Sequence, residues 1–244
     1  LHYYSATSNA FVFYAPRRME FLMCPPQNIY AHQWIEQLAV HEFRHVIQMD
    51  KLKQGVTKLL YLLFGEQISA LALFYPDWFM EGDAVATETA LSYSGRGRVP
   101  LFEAELRSLW LDKKIYNFEK ASLGSYRDFI PDKYTFGYFM VAETRARYGA
   151  NVWNRPLDYV PRKFLNITPF NQGLKENIGL SKVKLYKQNV KNLTTTWQAQ
   201  DALVQETSFE RITNTTKHYT NYTSAHYNTN NTIIALRTGM DDID

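Results

Sequence analysis

The segment His41-Glu42-Phe43-Arg44-His45 places two imidazoles four residues apart, with a carboxylate directly after the first. On an α-helix such a pair is separated by about 40° of rotation and one turn of rise, so both rings can reach one metal ion. Glu42 projects beside them, where a carboxylate can take a proton from a water that a divalent metal has acidified. A catalytic zinc needs a third protein ligand and an open position. The candidate is Glu81, in Trp78-Phe79-Met80-Glu81-Gly82-Asp83-Ala84.

Two helices must hold these groups. From Trp34 to about Met49 the chain has no Pro or Gly, and Ile35, Ala39, Val40, Phe43, Val46 and Ile47 give it a wide apolar arc, which predicts a mostly buried helix. Pro76-Asp77 opens the second, with Asp77 as its N-cap, and it runs to the turn at Ser94-Gly95-Arg96-Gly97. Before them, Phe11–Tyr14 and Met19–Met23 predict two short strands, or one broken strand, ending at Pro25-Pro26. After them, helices are expected over Leu101–Leu111, Tyr134–Tyr148 and Ser181–Leu193. The fold class expected is α+β and mostly helical, with a small N-terminal sheet.

Beyond Glu206 the composition shifts to Asn, Thr, Tyr and Ser, and Thr232–Leu236 is the clear apolar run. This divides the chain into a domain over residues 1–205 and a β-rich segment over 206–244. At 244 residues and about 150 per domain, one to two domains are expected.

Composition narrows the function classes. The chain is 45% hydrophobic and 21% charged, enough to bury a sizeable core. With 27 basic against 24 acidic residues and no basic block beside aromatics, it lacks the footprint of a nucleic-acid binder. A single cysteine, Cys24, excludes an intrachain disulfide and a multi-cysteine zinc site. The most apolar stretch, Leu59–Phe74, falls short of the about 20 residues that cross a bilayer and has Gly65, Glu66 and Gln67 at its middle. It is expected to pack into the core as a helical pair, or to form an amphipathic surface, with no transmembrane segment.

HEFRH followed by WFMEGDAVATE resembles the gluzincin zinc metallopeptidases, the peptidase MA-like group that includes relatives of aminopeptidase N. The resemblance extends over about Phe11–Gly149. It implies a zincin-like domain with one zinc per chain, held by His41, His45 and Glu81, with Glu42 as general base. Glu88, seven residues after Glu81, matches a second glutamate of the aminopeptidase-like members and is expected to fix the tautomer of a ligand imidazole. Tyr134-Thr135-Phe136-Gly137 is similar to the family's Y-x-x-G segment, whose Tyr donates to the oxyanion of the tetrahedral intermediate.

Two departures stand out. Where the aminopeptidases carry G-x-M-E-N, this chain has Arg17-Arg18-Met19-Glu20-Phe21, so Glu20 is a candidate for a substrate amine while the segment itself is expected to pair with an extended peptide. Val85 stands where thermolysin-like relatives have Asp, which favours the aminopeptidase-like branch. Arg96 and Arg98, on a Gly-rich turn, are candidates for a substrate carboxylate or carbonyl, with a structural ion pair as the alternative. His32, His218 and His226 have no partner at ligand spacing.

The C-terminal run Arg211–Thr213, Tyr222–Tyr227 and Thr232–Arg237 resembles the opening of a TolB-like β-propeller blade. That resemblance implies a bacterial cell-envelope protein, periplasmic or secreted, with a protein partner at the β-rich domain. The function expected is zinc-dependent hydrolysis of a peptide or protein substrate. The alternatives are a catalytically silent peptidase-like scaffold and hydrolysis of a non-peptide bond.

Overall fold

The computed structural model describes residues 6–14, 16–25, 33–93, 95–205, 207–214, 216, 218–230 and 232–239. His32, singled out above as a residue without a ligand partner, lies outside them. An N-terminal hairpin of β1 (Asn9–Tyr14) and β2 (Arg17–Leu22) pairs antiparallel, with Phe11 opposite Glu20. Nine α-helices follow among the described residues: α1 (Trp34–Asp50), α2 (Val56–Phe64), α3 (Asp77–Leu91), α4 (Pro100–Leu111), α5 (Phe118–Leu123), α6 (Lys133–Tyr148), α7 (Asn154–Arg162), α8 (Pro169–Ile178) and α9 (Lys182–Asp201). A C-terminal hairpin, β3 (Thr220–Tyr227) and β4 (Ile233–Gly239), completes the chain's α+β, mostly helical architecture. It touches the helical body where Tyr219 stacks on Phe129 at 3.8 Å and donates its hydroxyl to Glu105 at 3.1 Å.

α3 lies at the centre. Its first turn buries Trp78 and Phe79 in an aromatic cluster with Phe118, Phe136, Trp153 and Phe170. Truncating one such ring costs about 3–5 kcal/mol in comparable cores, so this cluster fixes where the start of α3 can sit. Along its length α3 packs between α1 and α6. The crossing with α6 is made by two glycines: a Cβ on Gly82 would lie 2.1 Å from the carbonyl carbon of Gly137, and one on Gly137 only 1.9 Å from the carbonyl oxygen of Trp78. Only residues without a side chain permit that approach, and it brings the first turn of α6 over Glu81.

Several local expectations need correction. Pro76, not Asp77, occupies the N-cap of α3, with ψ at 137°; its carbonyl accepts from Phe79 and Met80 N–H, and Asp77 is the first helical residue. Asp77 therefore acts through its charge against the positive end of the helix dipole rather than as a cap. α5, α7 and α8 were not among the expected helices; α5 has only six residues, and α7 and α8 contain Pro156, Pro161 and Pro169. Pro169 begins α8 and Pro156 lies in the first turn of α7, where a missing N–H breaks no intrahelical bond.

The larger correction concerns the apolar stretch. Val56–Phe74 forms α2 and a 3₁₀ segment, Gly65–Phe74, joined at Gly65 with φ of +59°. It takes the surface alternative and does not pack into the core: only 11% of its apolar window is buried. By length and composition alone it is apolar enough to cross a membrane. The break at Gly65 divides it into two short pieces.

Candidate metal centre

α1 and α3 deliver three ligand atoms to one place. The Nε2 atoms of His41 and His45 each lie 3.4 Å from Oε2 of Glu81, and all three atoms fall within 4.8 Å of one another. Metal–ligand bonds of about 2.0–2.1 Å at tetrahedral angles separate neighbouring ligands by about 3.4 Å, so the two His–Glu distances match a zinc site. Two imidazole nitrogens and a carboxylate are a donor set that zinc and other first-row divalent ions accept.

Both rings turn Nε2 towards Glu81 and hold Nδ1 against a hydrogen-bond partner on the other side. Nδ1 of His41 lies 2.9 Å from Oε2 of Glu88, a carboxylate that can only accept, so Nδ1 carries the proton. Glu88 is itself held by Gln37 at 3.1 Å and by the backbone N–H and Nε of Arg96 at 3.0 and 2.8 Å. Arg96 Nη2 also comes within 2.8 Å of His41 Nδ1, and it has Glu88 Oε2 as its acceptor at 3.0 Å. Burial opposes ionisation of Glu88, but the bonds from His41 and Arg96 prevail and bring its pKa down to about 2.

His45 is oriented by a residue that sequence reasoning missed. Its Nδ1 lies 2.8 Å from Oε1 of Gln48, whose Nε2 donates to Asp83 at 2.8 Å and to the Met80 carbonyl at 3.1 Å. Asp83 is fully buried between Arg44, at 2.7 Å, and Arg145. The signal was present in the sequence: Gln48 follows His45 by three residues, and Asp83 follows Glu81 by two, each on the buried flank of its helix.

Glu81 is also partnered on its far side, where Lys133 Nζ stands 3.2 Å from Oε1. Burial opposes the charge on Glu81, yet the two histidines and Lys133 hold its pKa well below the usual carboxylate range. For His41, burial acts downward, and the hydrogen bonds it donates to the Glu81 and Glu88 carboxylates outweigh it, raising the imidazole above its ordinary value. Glu42 responds in the opposite sense to Glu81. Burial raises its pKa, and the pull of His41 and His45 recovers only part of that.

His41, His45, Glu81 and Glu88 line a cleft of about 720 Å³. Its walls include Glu42 and Met49 of α1, Ala10 and Val12 of β1, and Tyr134 of α6. The Asp132 carboxylate caps α6 by accepting from the Thr135 N–H at 2.8 Å, which sets Tyr134 in the first turn. The Tyr134 ring lies 6.1 Å from that of His41, with the Arg96 guanidinium 4.8 Å from its centre. Burial, and then the charge of Glu81, raise the phenol's pKa.

The remaining candidates fall elsewhere. Arg96 lines the cleft, but its guanidinium is committed to Glu88, the structural pairing given above as the alternative. Arg98 donates Nε to the Thr89 carbonyl at 3.1 Å and is exposed, outside the cleft. Glu20 lies on β2 against Arg18 and does not line the cleft; the strand that borders it is β1. His218 and His226 belong to the C-terminal hairpin region, away from the trio.

No family model matches this chain, and neither does any curated protein or solved structure.

Proposed function

We propose that this chain is a zinc-dependent peptidase of the gluzincin type. The observation that carries the reading is the convergence of His41, His45 and Glu81 within 4.8 Å beside a buried glutamate, Glu42, in one cleft. Spacing in one helix accounts for the two histidines; the arrival of a third ligand from another helix is independent support.

His41, His45 and Glu81 would hold one zinc ion per chain. When bound, zinc supplies Lewis acidity, polarising a carbonyl and lowering the pKa of a water towards about 7. Glu42 accepts the proton of the attacking water and passes it to the leaving amine nitrogen. Its buried setting raises its proton affinity, which suits a group that must both take and release a proton near neutrality. Tyr134 keeps its proton and donates its O–H to the oxygen that gains charge. β1 pairs with β2 and borders the cleft, so an extended peptide is expected to lie along it. The C-terminal hairpin is read as the first part of a propeller blade and a surface for a protein partner in the bacterial cell envelope.

The test is metal content by elemental analysis, with peptide-library cleavage on the same samples, for wild type, Glu81→Ala and Glu42→Gln. One zinc per chain in the wild type, weakened in Glu81→Ala and retained without cleavage in Glu42→Gln, is the expected result. A wild type that takes up no zinc would overturn the reading and leave a binding scaffold.

A further inference from the structure

α2 carries an exposed apolar face, and the segment that continues it adjoins the cleft. Leu59, Leu62, Leu63 and Phe64 of α2 are each more than half exposed, and Leu73 is 90% exposed. Contiguous exposed apolar surface of this kind marks an interaction site, since each of these side chains forgoes the burial that drives folding.

Three observations select a lipid surface as the occupant. First, the exposed face of α2 is built from Val56, Leu59, Leu62, Leu63 and Phe64, whereas protein interfaces concentrate Trp, Tyr, Met and Arg at their centres. Second, α2 has nine residues and so is about 14 Å long, half of a hydrocarbon core of about 30 Å, and the chain turns at Gly65. The 3₁₀ segment that follows lies against the cleft through Ser69 and Ala72, so the pair rests along the protein, an arrangement that suits an interface better than a crossing. Third, exposed cations lie on and next to α2. Lys58 projects from α2, and Arg162 and Lys163 end α7, which abuts the start of α2: Arg162 Cγ lies 3.9 Å from where a Cβ on Gly55 would stand. Directly beyond, Leu165 and Ile167 are 89% and 93% exposed. Apolar side chains at a helix and a neighbouring loop, with Lys and Arg beside them, complement anionic head groups over acyl chains.

We propose that α2 and the loop after α7 dock this chain onto the surface of an anionic lipid bilayer. The 3₁₀ half of the same segment lines the cleft at Ser69, Ala70 and Ala72, with the exposed Leu73 at the rim. Docking therefore holds the cleft against the bilayer and favours substrates presented at its surface. The docking itself depends on this surface alone and not on the metal.

The test is co-sedimentation of the purified chain with vesicles of phosphatidylcholine containing about one-third phosphatidylglycerol, and with phosphatidylcholine alone. Wild type is expected to pellet with the anionic vesicles and to be released by high salt. The double variant Leu62→Glu/Leu63→Glu, at two exposed positions, is expected to lose roughly tenfold or more of that partitioning, with its circular dichroism and Tm unchanged. Lys58→Glu/Arg162→Glu is expected to lose the preference for anionic vesicles while keeping its fold. Wild type remaining in the supernatant, or Leu62→Glu/Leu63→Glu binding as wild type does, would overturn the proposal. So would a dimer in sedimentation velocity that this double variant abolishes without any vesicle binding, which would assign the face to a second copy. Zinc content, read on the same samples, separates failure of docking from failure of the peptidase reading.

Discussion

Gln48 of α1 donates its side-chain N–H to the Asp83 carboxylate of α3 at 2.8 Å, and this bond decides which atom of Gln48 faces His45. With its nitrogen turned to Asp83 and to the Met80 carbonyl, the amide presents its oxygen to His45 Nδ1. The ring then carries its proton on Nδ1 and offers Nε2 beside Glu81. Asp83 thus orients a ligand it does not touch. Gln48→Met removes the acceptor at similar volume, and zinc affinity is expected to fall about 10–100-fold. Competition with a chromophoric chelator measures it, and unchanged affinity would show that packing alone orients His45.

Asp83 is also the one carboxylate joining Arg44, Arg145 and Gln48 in a buried cluster. Asp83→Ala leaves those groups without their shared acceptor and is expected to destabilise the fold by about 3–5 kcal/mol. Urea denaturation of the metal-free protein reads this directly. A loss below 1 kcal/mol, on the order of an exposed pair, would mean that solvent reaches the cluster.

Backbone contact at Gly82 and Gly137 places α6 over the site. Gly137→Ala puts a methyl group into the Trp78 carbonyl and forces the helices apart, at a cost of about 3 kcal/mol. Because Tyr134 and Lys133 lie one turn away on α6, cleavage should fall along with Tm in this variant. Activity equal to wild type at a temperature where the variant is fully folded would separate helix spacing from function.

Tyr134→Phe tests the oxyanion role. The phenol's raised pKa keeps it protonated at neutral pH, so the variant should lose about 10²–10³ in kcat with zinc content intact. A change in KM alone would assign Tyr134 to substrate binding.

Burial raises the pKa of Tyr186, whose hydroxyl donates to the Tyr116 carbonyl at 3.0 Å, to about 12. Between pH 10 and 12 the unfolded chain releases this proton and the native state retains it. Stability contributed here is therefore complete below pH 10 and lost as pH rises through 12. Tyr186→Phe should flatten this alkaline decline in denaturant midpoint; an unchanged slope would place the titration elsewhere.

Much of the site was legible because its chemistry follows from spacing along one helix. His41, Glu42 and His45 lie within one turn and a half, so any helix containing them presents them together. Glu81 and Glu88 came from a motif, two turns apart on a single face. The β1–β2 hairpin and the span of α1 followed from apolar runs bounded by Pro and Gly. Misreadings arose where a local signal has two physical meanings. Proline both breaks a helix and begins one, as in α7 and α8, and an apolar run suits a core as well as an exposed surface, so the burial of Val56–Phe74 was open.

The sequence by itself determined that two imidazoles and a carboxylate share a helical face, since i, i+1 and i+4 positions are fixed by 3.6 residues per turn. Tertiary structure alone decided that Glu81 meets them, that Gln48 and Asp83 cooperate, and that Val56–Phe74 faces outward. Those outcomes depend on how α1, α3 and α6 cross. That crossing is set by the close approach of Gly82 to Gly137 and by the aromatic cluster around Trp78, contacts between residues far apart in the chain that no local periodicity encodes.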